Sequence, residues 1–289
     1  MKKLNKKKLL LLAGFILLFL AACANNTGAD GKIKPEKIIY LSTTFSEVMS
    51  GSWFDAIFVW PFSQLINYIS QYVDVVWGIG LATVIVNLIT LPLTISSQES
   101  QQKMQMIKPE QDKIEKKYEG RKDENSVRMK AAETSALYKK HNINPFSLIV
   151  GMFVQFPIIM AMFYAVQRAD SVIEGSFLGH SLKITSGTGI QSGELFYIII
   201  FVIMGIFQFL SMKLPSYLAK QELKKDRRIK EYDKPENTGP NMEIATYIMV
   251  GMILFISLQW PSAMAVYWIF SGLMNVLKTL YVQKIKMKK

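Results

Sequence analysis

Four polar side chains interrupt long apolar runs of this sequence: Asn87, Gln155, Gln208 and Trp268. Each run approaches the roughly twenty apolar residues that cross a bilayer as one helix. A polar group without a partner in hydrocarbon costs several kcal/mol, so each of these side chains needs protein or water beside it. We therefore expect them to line a hydrated hollow among membrane-spanning helices. Its amides and indole have the chemistry to hydrogen-bond a polar segment of another molecule.

Simpler explanations exist for two of these positions. An interhelical hydrogen bond that holds a bundle together explains Asn87 equally well. An interfacial or packing indole explains Trp268, and Gln208 is assigned from its polarity and approximate place alone. We expect no lysine or arginine within the spans, so that intramembrane polarity consists of amides, hydroxyls and indole. An asparagine offers two donors and an acceptor but no charge.

The sequence offers no enzyme-type chemistry. No nucleophile–base pair, His–metal cluster or Walker-type glycine loop stands out, and His141 and His180 are predicted on opposite membrane faces. The single cysteine, Cys23, excludes an internal disulfide framework and a Cys-based zinc site. We therefore expect no catalysis, no metal and no cofactor other than covalent lipid.

Cys23 lies at the end of a predicted secretory signal. Lysines open the chain, an apolar run follows from Leu9 to Leu20, and small residues come next. The junction Leu20-Ala21-Ala22-Cys23 resembles a bacterial lipobox, in which the thiol takes a diacylglycerol and the cysteine becomes the first mature residue. Diacylglycerol and an N-acyl chain on Cys23 then anchor the N-terminus outside the membrane. The alternative is an ordinary Ala-x-Ala signal with an incidental cysteine.

Composition and charge order the rest of the chain. Half of the residues are apolar, yet the formal net charge is +12. Loops alternately poor and rich in Lys and Arg indicate five spans, with the N-terminus outside and the C-terminus in the cytoplasm. The resemblance to a bacterial lipobox implies that the membrane is a bacterial plasma membrane. The predicted segments are a signal peptide at 1–22, a lipid-anchored extracellular tether and interfacial helix at 23–74, a first span at 75–95, a cytoplasmic hairpin at 96–143, a second span at 144–168, an extracellular loop at 169–193, a third span at 194–212, a cytoplasmic loop at 213–240, spans at 241–258 and 263–281, and a basic cytoplasmic tail at 282–289.

Two amphipathic segments lie outside the spans. Apolar residues from Phe54 to Val73 recur at helical spacing, which predicts a helix in the outer interface that Pro61 breaks or restarts. The hairpin has one stripe from Met104 to Tyr118 and a weaker one that includes Val127 and Tyr138. Gly120 is predicted to end the first hairpin helix, and Asn125 or Ser126 to start the second. The positive-inside rule explains the basic side chains of the hairpin. The more specific alternative is that they contact anionic lipid, ribosomal RNA or targeting machinery.

Three motifs resemble the YidC/Oxa1/Alb3 membrane protein insertases. Ile85–Leu93 resembles the first core span of that family, Asn144–Ile158 with its Gln155-Phe156-Pro157 resembles the second, and Pro261–Gly272 resembles the last. Their order, with a hairpin between the first two, makes the resemblance specific, and it covers nearly all of residues 50–285. The lipoprotein signal resembles the Gram-positive type.

The resemblance implies an all-α integral membrane protein: a five-helix transmembrane bundle with an outer interfacial helix and a cytoplasmic helical hairpin. It implies an insertase and chaperone that inserts and helps to fold nascent membrane proteins, with lipoproteins as further clients, through a polar groove and without ATP hydrolysis. We assign Asn87, Gln155, Gln208 and Trp268 to that groove, Gln208 from its polarity and approximate place alone. Implied partners are nascent membrane proteins and anionic lipids, with the Sec translocon, the ribosome and targeting machinery as further candidates. The family usually has an arginine where this sequence has Asn87. Which residue, if any, supplies a positive charge to the groove is therefore open.

Two other functions remain. In the first alternative, the chain is a divergent paralogue that lost or altered its insertase activity together with that arginine and has a structural or regulatory role. A small-solute transporter is a weaker alternative, because transporters usually carry inverted repeats and ionisable relays within the membrane.

Overall fold

The structure is a computed structural model, and it describes residues 33–225 and 242–286. The predicted signal peptide, Cys23 with its predicted lipid, residues 226–241 and the last three residues of the basic tail lie outside the described residues. The α-helices are α1 Phe45–Gly51, α2 Trp60–Ser70, α3 Val75–Ile89, α4 Leu91–Met106, α5 Lys108–Lys117, α6 Glu124–Lys140, α7 Pro145–Arg168, α8 Asp170–Glu174, α9 Ser186–Gln191, α10 Leu195–Lys225, α11 Met242–Ser257 and α12 Ser262–Tyr281. Shorter elements are a 3-10 turn at Pro35–Lys37, π-helical turns at Asp55–Val59 and Val282–Lys286, and the antiparallel strands β1 Ser176–Phe177 and β2 His180–Ser181.

Two compact units make up the described chain. The first unit comprises residues 33–78 and 160–183, and the second comprises 79–159, 184–225 and 242–286. The unit boundaries fall within α3 and α7.

The core of the first unit is a buried ion pair with the chain around it. Arg168 Nη1 lies 2.6 Å from Asp55 Oδ2, with side chains only 3% and 5% exposed. The same guanidinium donates from Nε to the carbonyl oxygen of Lys37 at 2.7 Å. Ile39 pairs in parallel with Ala169, next to the arginine. One side chain therefore joins the N-terminal segment, the π-helical turn and the end of α7.

Asn67 of α2 makes a second connection within that unit. Its Nδ2 donates to the carbonyl of Ile39 at 2.7 Å, while its Oδ1 accepts from the amide and hydroxyl of Ser171. Pro61 lies in the first turn of α2, which follows directly on the π-helical turn, so the helical geometry changes next to this proline.

Apolar helices of membrane-spanning length lie in the second unit. Within the described residues, Leu195–Glu222 and Ser262–Ile285 are long and apolar enough to cross a bilayer. The pair α3 and α4 meets the same test when taken together, but it is bent by 76°. The all-α membrane class is confirmed, whereas the number of five spans stays a prediction.

A bend divides the predicted first span at 75–95 into α3 and the beginning of α4. The helix ends at Ile89, Thr90 intervenes, and α4 starts with Pro92 in its first turn. A proline lacks the N–H that would continue the α3 ladder and clashes with the carbonyl four residues earlier. The hydroxyl of Thr90 donates to the carbonyl of Val86 at 2.8 Å, which also accepts from the backbone amide of Thr90 at 3.0 Å.

Helix α10 continues beyond the predicted third span at 194–212, and residues 213–225 of the predicted cytoplasmic loop are helical as far as Lys225. Pro215 lies inside it without ending it. The polar composition of this stretch is typical of a loop, but Leu, Ala, Gln, Glu and Lys are also good helix formers, and 195–212 provides the preceding turns.

Helices α5 and α6 form the predicted hairpin. Ile107, Leu137 and Ile143 form its buried core. Gly120 adopts a φ of 75° after α5, as expected for a left-handed cap. The predicted start of α6 is wrong: the Asp123 carboxylate accepts from the amide of Ser126 and caps the helix, two residues before Asn125. In the predicted stripe of the second hairpin helix, Tyr138 does pack against this core, whereas Val127 is exposed and the buried residue is Leu137.

Candidate functional site: a polar cavity in the second unit

A cavity of about 710 Å³ lies within the second unit, and we call it the polar cavity. Helices α4, α7, α10, α11 and α12 contribute to its wall. Its polar lining residues are Thr94, Ser97, Gln98, Gln101, Gln105, Gln155, Gln208, Ser211, Ser216, Thr246, Tyr267, Trp268, Ser271, Asn275 and Lys278. Apolar side chains, among them Met104, Met212, Met249 and Ile253, fill the spaces between them. No aspartate or glutamate lines the polar cavity among the residues that the structure describes.

Three of the four predicted site residues line this cavity. Gln155 comes from α7 and lies near the buried Tyr267 of α12, which lines the same cavity. Gln208 comes from α10, and its amide nitrogen lies 3.6 Å from the sulfur of Met212. The indole of Trp268 stacks at a tilt on Trp260, while its Nε1 is buried without a hydrogen-bond partner among the described residues. The structure therefore brings these three side chains around one space.

Asn87 lies beside the cavity rather than in its wall. It is 8% exposed, and its Nδ2 donates to the carbonyl of Thr83 in its own helix at 2.9 Å. Its Oδ1 accepts from Nζ of Lys278 at 2.7 Å, and Lys278 does line the cavity. Asn87 therefore makes a hydrogen bond between α3 and α12, as the simpler explanation predicts. Its partner Lys278 lines the cavity, so Asn87 is also connected to the predicted site.

Lys278 overturns the expectation of an uncharged site. The lysine belongs to α12, within the span predicted at 263–281, and is only 6% exposed. Lys278 is not evident from the sequence, because it lies close to the lysines of the predicted basic tail at 282–289 and resembles one of them. A signal was available: Trp268, Ser271, Asn275 and Lys278 recur at intervals of three and four residues, which places them on one helical face. All four line the polar cavity.

Two glutamines of α4 bind α12 next to this lysine. Gln98 Nε2 donates to the hydroxyl of Thr279 at 2.8 Å, and Gln102 Nε2 donates to its carbonyl at 3.0 Å. That carbonyl precedes the π-helical turn Val282–Lys286, where the regular ladder of α12 changes. These two contacts hold α4, which follows the bend at Thr90, against α12, which carries Lys278.

Glycines allow the cavity walls to approach each other. A Cβ on Gly151 of α7 would overlap the side chain of Ser97 on α4. On the other side, a Cβ on Gly272 of α12 would lie 3.0 Å from Cβ of Phe207 on α10. Small residues are the usual means of close helix packing in membranes. Among the described residues, no group of three or more His, Cys, Asp or Glu side chains is placed to hold a metal ion.

Comparison with known sequences places this arrangement in a family. A family model described as 60Kd inner membrane protein matches residues 66–289, which include every helix of the cavity wall. The chain belongs to the YidC/Oxa1/Alb3 family. Among its relatives, the protein named membrane protein insertase YidC of Oceanobacillus iheyensis is 30% identical over 245 residues, covering 83% of this chain and 86% of that protein.

Two further relatives show similar identity. The protein named membrane protein insertase YidC of Enterococcus faecalis is 29% identical over 274 residues, covering 95% of this chain and 84% of that protein. The protein named membrane protein insertase MisCA of Bacillus subtilis is 28% identical over 243 residues, with 83% of each chain covered. The resemblance seen in the three sequence motifs is therefore confirmed, and the chain is a membrane protein of the cell membrane.

Proposed function

We propose that this protein inserts nascent membrane proteins into the bilayer and assists their folding, with the polar cavity holding a hydrophilic segment of the client. The observation that carries the proposal is the polar cavity itself, in which amides, hydroxyls and a lysine converge between apolar helices. The names of the relatives support the same activity. Asn87 acts through Lys278, while Gln155, Gln208 and Trp268 contact the client segment.

The cavity lowers the barrier that a polar segment meets in hydrocarbon. Unpaired amides and charges are costly there because no water can bond to them. Side chains with both donors and acceptors, such as glutamine, can exchange hydrogen bonds with a peptide that arrives with its own water. The polar segment is then desolvated in steps, and the cavity opens to the cytoplasm and to lipid.

Partitioning of the client's apolar helix into lipid supplies the free energy. Each buried methylene contributes about 0.8 kcal/mol, so a helix of apolar residues needs no motor and no ATP. Helix α10 offers an apolar surface for this step, since Ile199, Val202 and Ile206 are exposed on it. These side chains face lipid or the client's helix.

Other parts of the chain have supporting roles in this proposal. Cys23 carries diacylglycerol and an N-acyl chain, which hold the N-terminus at the outer surface. The hairpin and the basic tail face the cytoplasm, where their lysines and arginines attract anionic lipid, and they offer a surface to the ribosome, the Sec translocon or targeting machinery. The presence of Lys278 at the cavity argues against a paralogue that lost its activity together with a charge.

Reconstitution tests the proposal. Purified full-length protein in liposomes is supplied with a ribosome-free, urea-diluted client of one span, without ATP, and insertion is measured by protease protection. We expect insertion above that of empty liposomes, and we expect Ser216→Trp, which fills the cavity, to lower it. Tyr217→Trp is the matched control, because this neighbouring side chain is 54% exposed and does not line the cavity. Equal protection in empty and protein-containing liposomes would overturn the proposal.

A further inference from the structure

We propose that α10 and α11 bind one anionic phospholipid, with an acyl chain in an apolar groove between the two helices and the phosphate on Lys213. The inference goes beyond the proposed function, because it concerns a lipid that stays with the protein rather than a client. It is carried by the groove, by a cation on the same row of α10 residues and by the distance along that row.

An apolar groove of about 380 Å³ lies between α10 and α11, and we call it the lipid groove. Apolar side chains and Gly205 line it, and none of these residues lines the polar cavity. A Cβ on Gly205 would lie 3.3 Å from Cδ2 of Leu254 on α11, so the glycine keeps this part of the groove open. A space between apolar side chains lacks dispersion contacts until atoms fill it, and a flexible acyl chain can do so.

One row of α10 residues connects the lipid groove to a cation. The row lies on one helical face at intervals of four residues and comprises Phe201, Gly205, Phe209 and Lys213. Phe209, which lines the groove, stacks on Tyr247 of α11 with ring centroids 6.1 Å apart. Nζ of Lys213 lies 5.0 Å from the centre of the Tyr247 ring and donates to its hydroxyl at 3.2 Å. The aromatic pair therefore holds the ammonium next to the end of the groove.

The length of this row matches one leaflet of a bilayer. At about 1.5 Å per residue, roughly 18 Å of helix separates Phe201 from Lys213. One leaflet contributes about 15 Å to the hydrocarbon core. An acyl chain along the row thus reaches from mid-bilayer to a lysine and a tyrosine at headgroup depth, where such side chains are usual. The predicted orientation assigns this end of α10 to the cytoplasmic leaflet.

The charge of Lys213 favours a particular class of headgroup. Phosphate oxygens accept the short, charge-assisted hydrogen bonds that an ammonium donates. A phosphatidylglycerol headgroup carries only negative charge, whereas a choline or ethanolamine headgroup adds a cation that Lys213 repels. We therefore expect phosphatidylglycerol to bind this site more tightly than phosphatidylcholine.

Native mass spectrometry of the delipidated full-length protein in detergent tests the inference by measuring the affinity for the first bound lipid. We expect Lys213→Met to weaken phosphatidylglycerol binding about ten-fold or more, as for loss of a charge-assisted hydrogen bond, and to change phosphatidylcholine binding much less. Lys213→Arg should retain the preference. Val202→Trp fills the groove from a position that is 51% exposed and should weaken both lipids. Glycerol phosphate, which has the headgroup without acyl chains, should not compete.

Matched controls separate a lipid site from general effects of charge and bulk. Lys183→Met removes an exposed charge from the first unit, and Ile199→Trp adds bulk at a 47% exposed position of α10 outside the groove. Both should bind phosphatidylglycerol as wild type does. Weakening by these controls equal to that by Lys213→Met and Val202→Trp, unchanged binding by the latter two, or competition by glycerol phosphate overturns the inference.

Other occupants of the lipid groove give a different result in the same variants. Val202→Trp that keeps its lipid affinity but loses client insertion would assign the groove to a client helix. The same variant with unchanged lipid affinity and lost self-association would assign it to a second copy of the chain. Either result overturns the inference, whereas loss of insertion by wild type overturns only the proposed function.

Discussion

Asp55→Asn is expected to loosen the first unit by much more than an ordinary surface substitution. The change leaves the Arg168 guanidinium buried without its counter-charge, while Nε keeps its bond to Lys37. Removing one partner of a buried ion pair costs about 3–5 kcal/mol, because the remaining charge is uncompensated. Asparagine keeps an acceptor oxygen, so the loss should lie toward the lower end of that range.

Hydrogen exchange of the backbone amides beside the pair measures this loss directly. The amide of Ile39 donates to the carbonyl of Arg168 at 2.7 Å, and that of Asp170 donates to the carbonyl of Ile39 at 3.2 Å. A loss of 3–5 kcal/mol, at about 1.4 kcal/mol per factor of ten, accelerates their exchange between about a hundred-fold and a few thousand-fold. Mass spectrometry of the protein in detergent or nanodiscs resolves a change of this size.

Two comparisons decide whether the ion pair is the cause. Asp74→Asn makes the same chemical change at an exposed aspartate of the same unit and should leave both amides unchanged. Adding Arg168→Gln to Asp55→Asn removes the stranded charge, so the double variant should exchange more slowly than the sum of the single effects predicts. Unchanged exchange of Ile39 and Asp170 in Asp55→Asn would refute the reasoning.

Two further predictions concern the cavity wall and the hairpin. Gly151→Ala should lower thermal stability in detergent and insertion activity, because its Cβ overlaps Ser97, whereas Gly251→Ala has open space and should be neutral or stabilising by up to about 1 kcal/mol. In the hairpin, partial burial acts to raise the pKa of Glu110, but its hydrogen bond to Lys140 and the charge of His141 outweigh this and lower the pKa. At a pH above the ordinary carboxyl pKa, the ionised Glu110 stabilises the hairpin, and this stabilisation is lost as the pH falls through the lowered pKa. Acid should therefore increase amide exchange in the hairpin. Glu110→Gln should make that exchange less dependent on pH.

Membrane helices and the polar residues within them could be predicted from the sequence, because a chain in hydrocarbon has few ways to satisfy its polar groups. An amide inside an apolar run has to find protein or water, so Gln155, Gln208 and Trp268 were predictable as inward residues, and all three line one cavity. The hairpin was predictable from its period, and its glycine cap from the need for a positive φ.

The missed features depend on contacts that no local pattern encodes. The partner of Asn87 lies 191 residues further along the chain, and only the helix packing brings Lys278 to it. Asp55 and Arg168 are likewise separated by 113 residues, and each looks like an ordinary charge at the end of an apolar run. The bend at Thr90 depends on the balance between Pro92 and the apolar residues around it, which favour continuing the helix.

Photo-crosslinking to a stalled nascent membrane protein tests the central claim most directly. A crosslinker is placed at Gln208, which lines the polar cavity, and in a second variant at Leu210, which is on the same helix at nearly the same depth and is 44% exposed outside that cavity. We predict that the polar segment of the client crosslinks from Gln208 and from Gln155 but not from Leu210. Insertion that proceeds with no crosslink from either glutamine, or with equal crosslinking from Leu210, would contradict the proposal that the polar segment passes through the polar cavity.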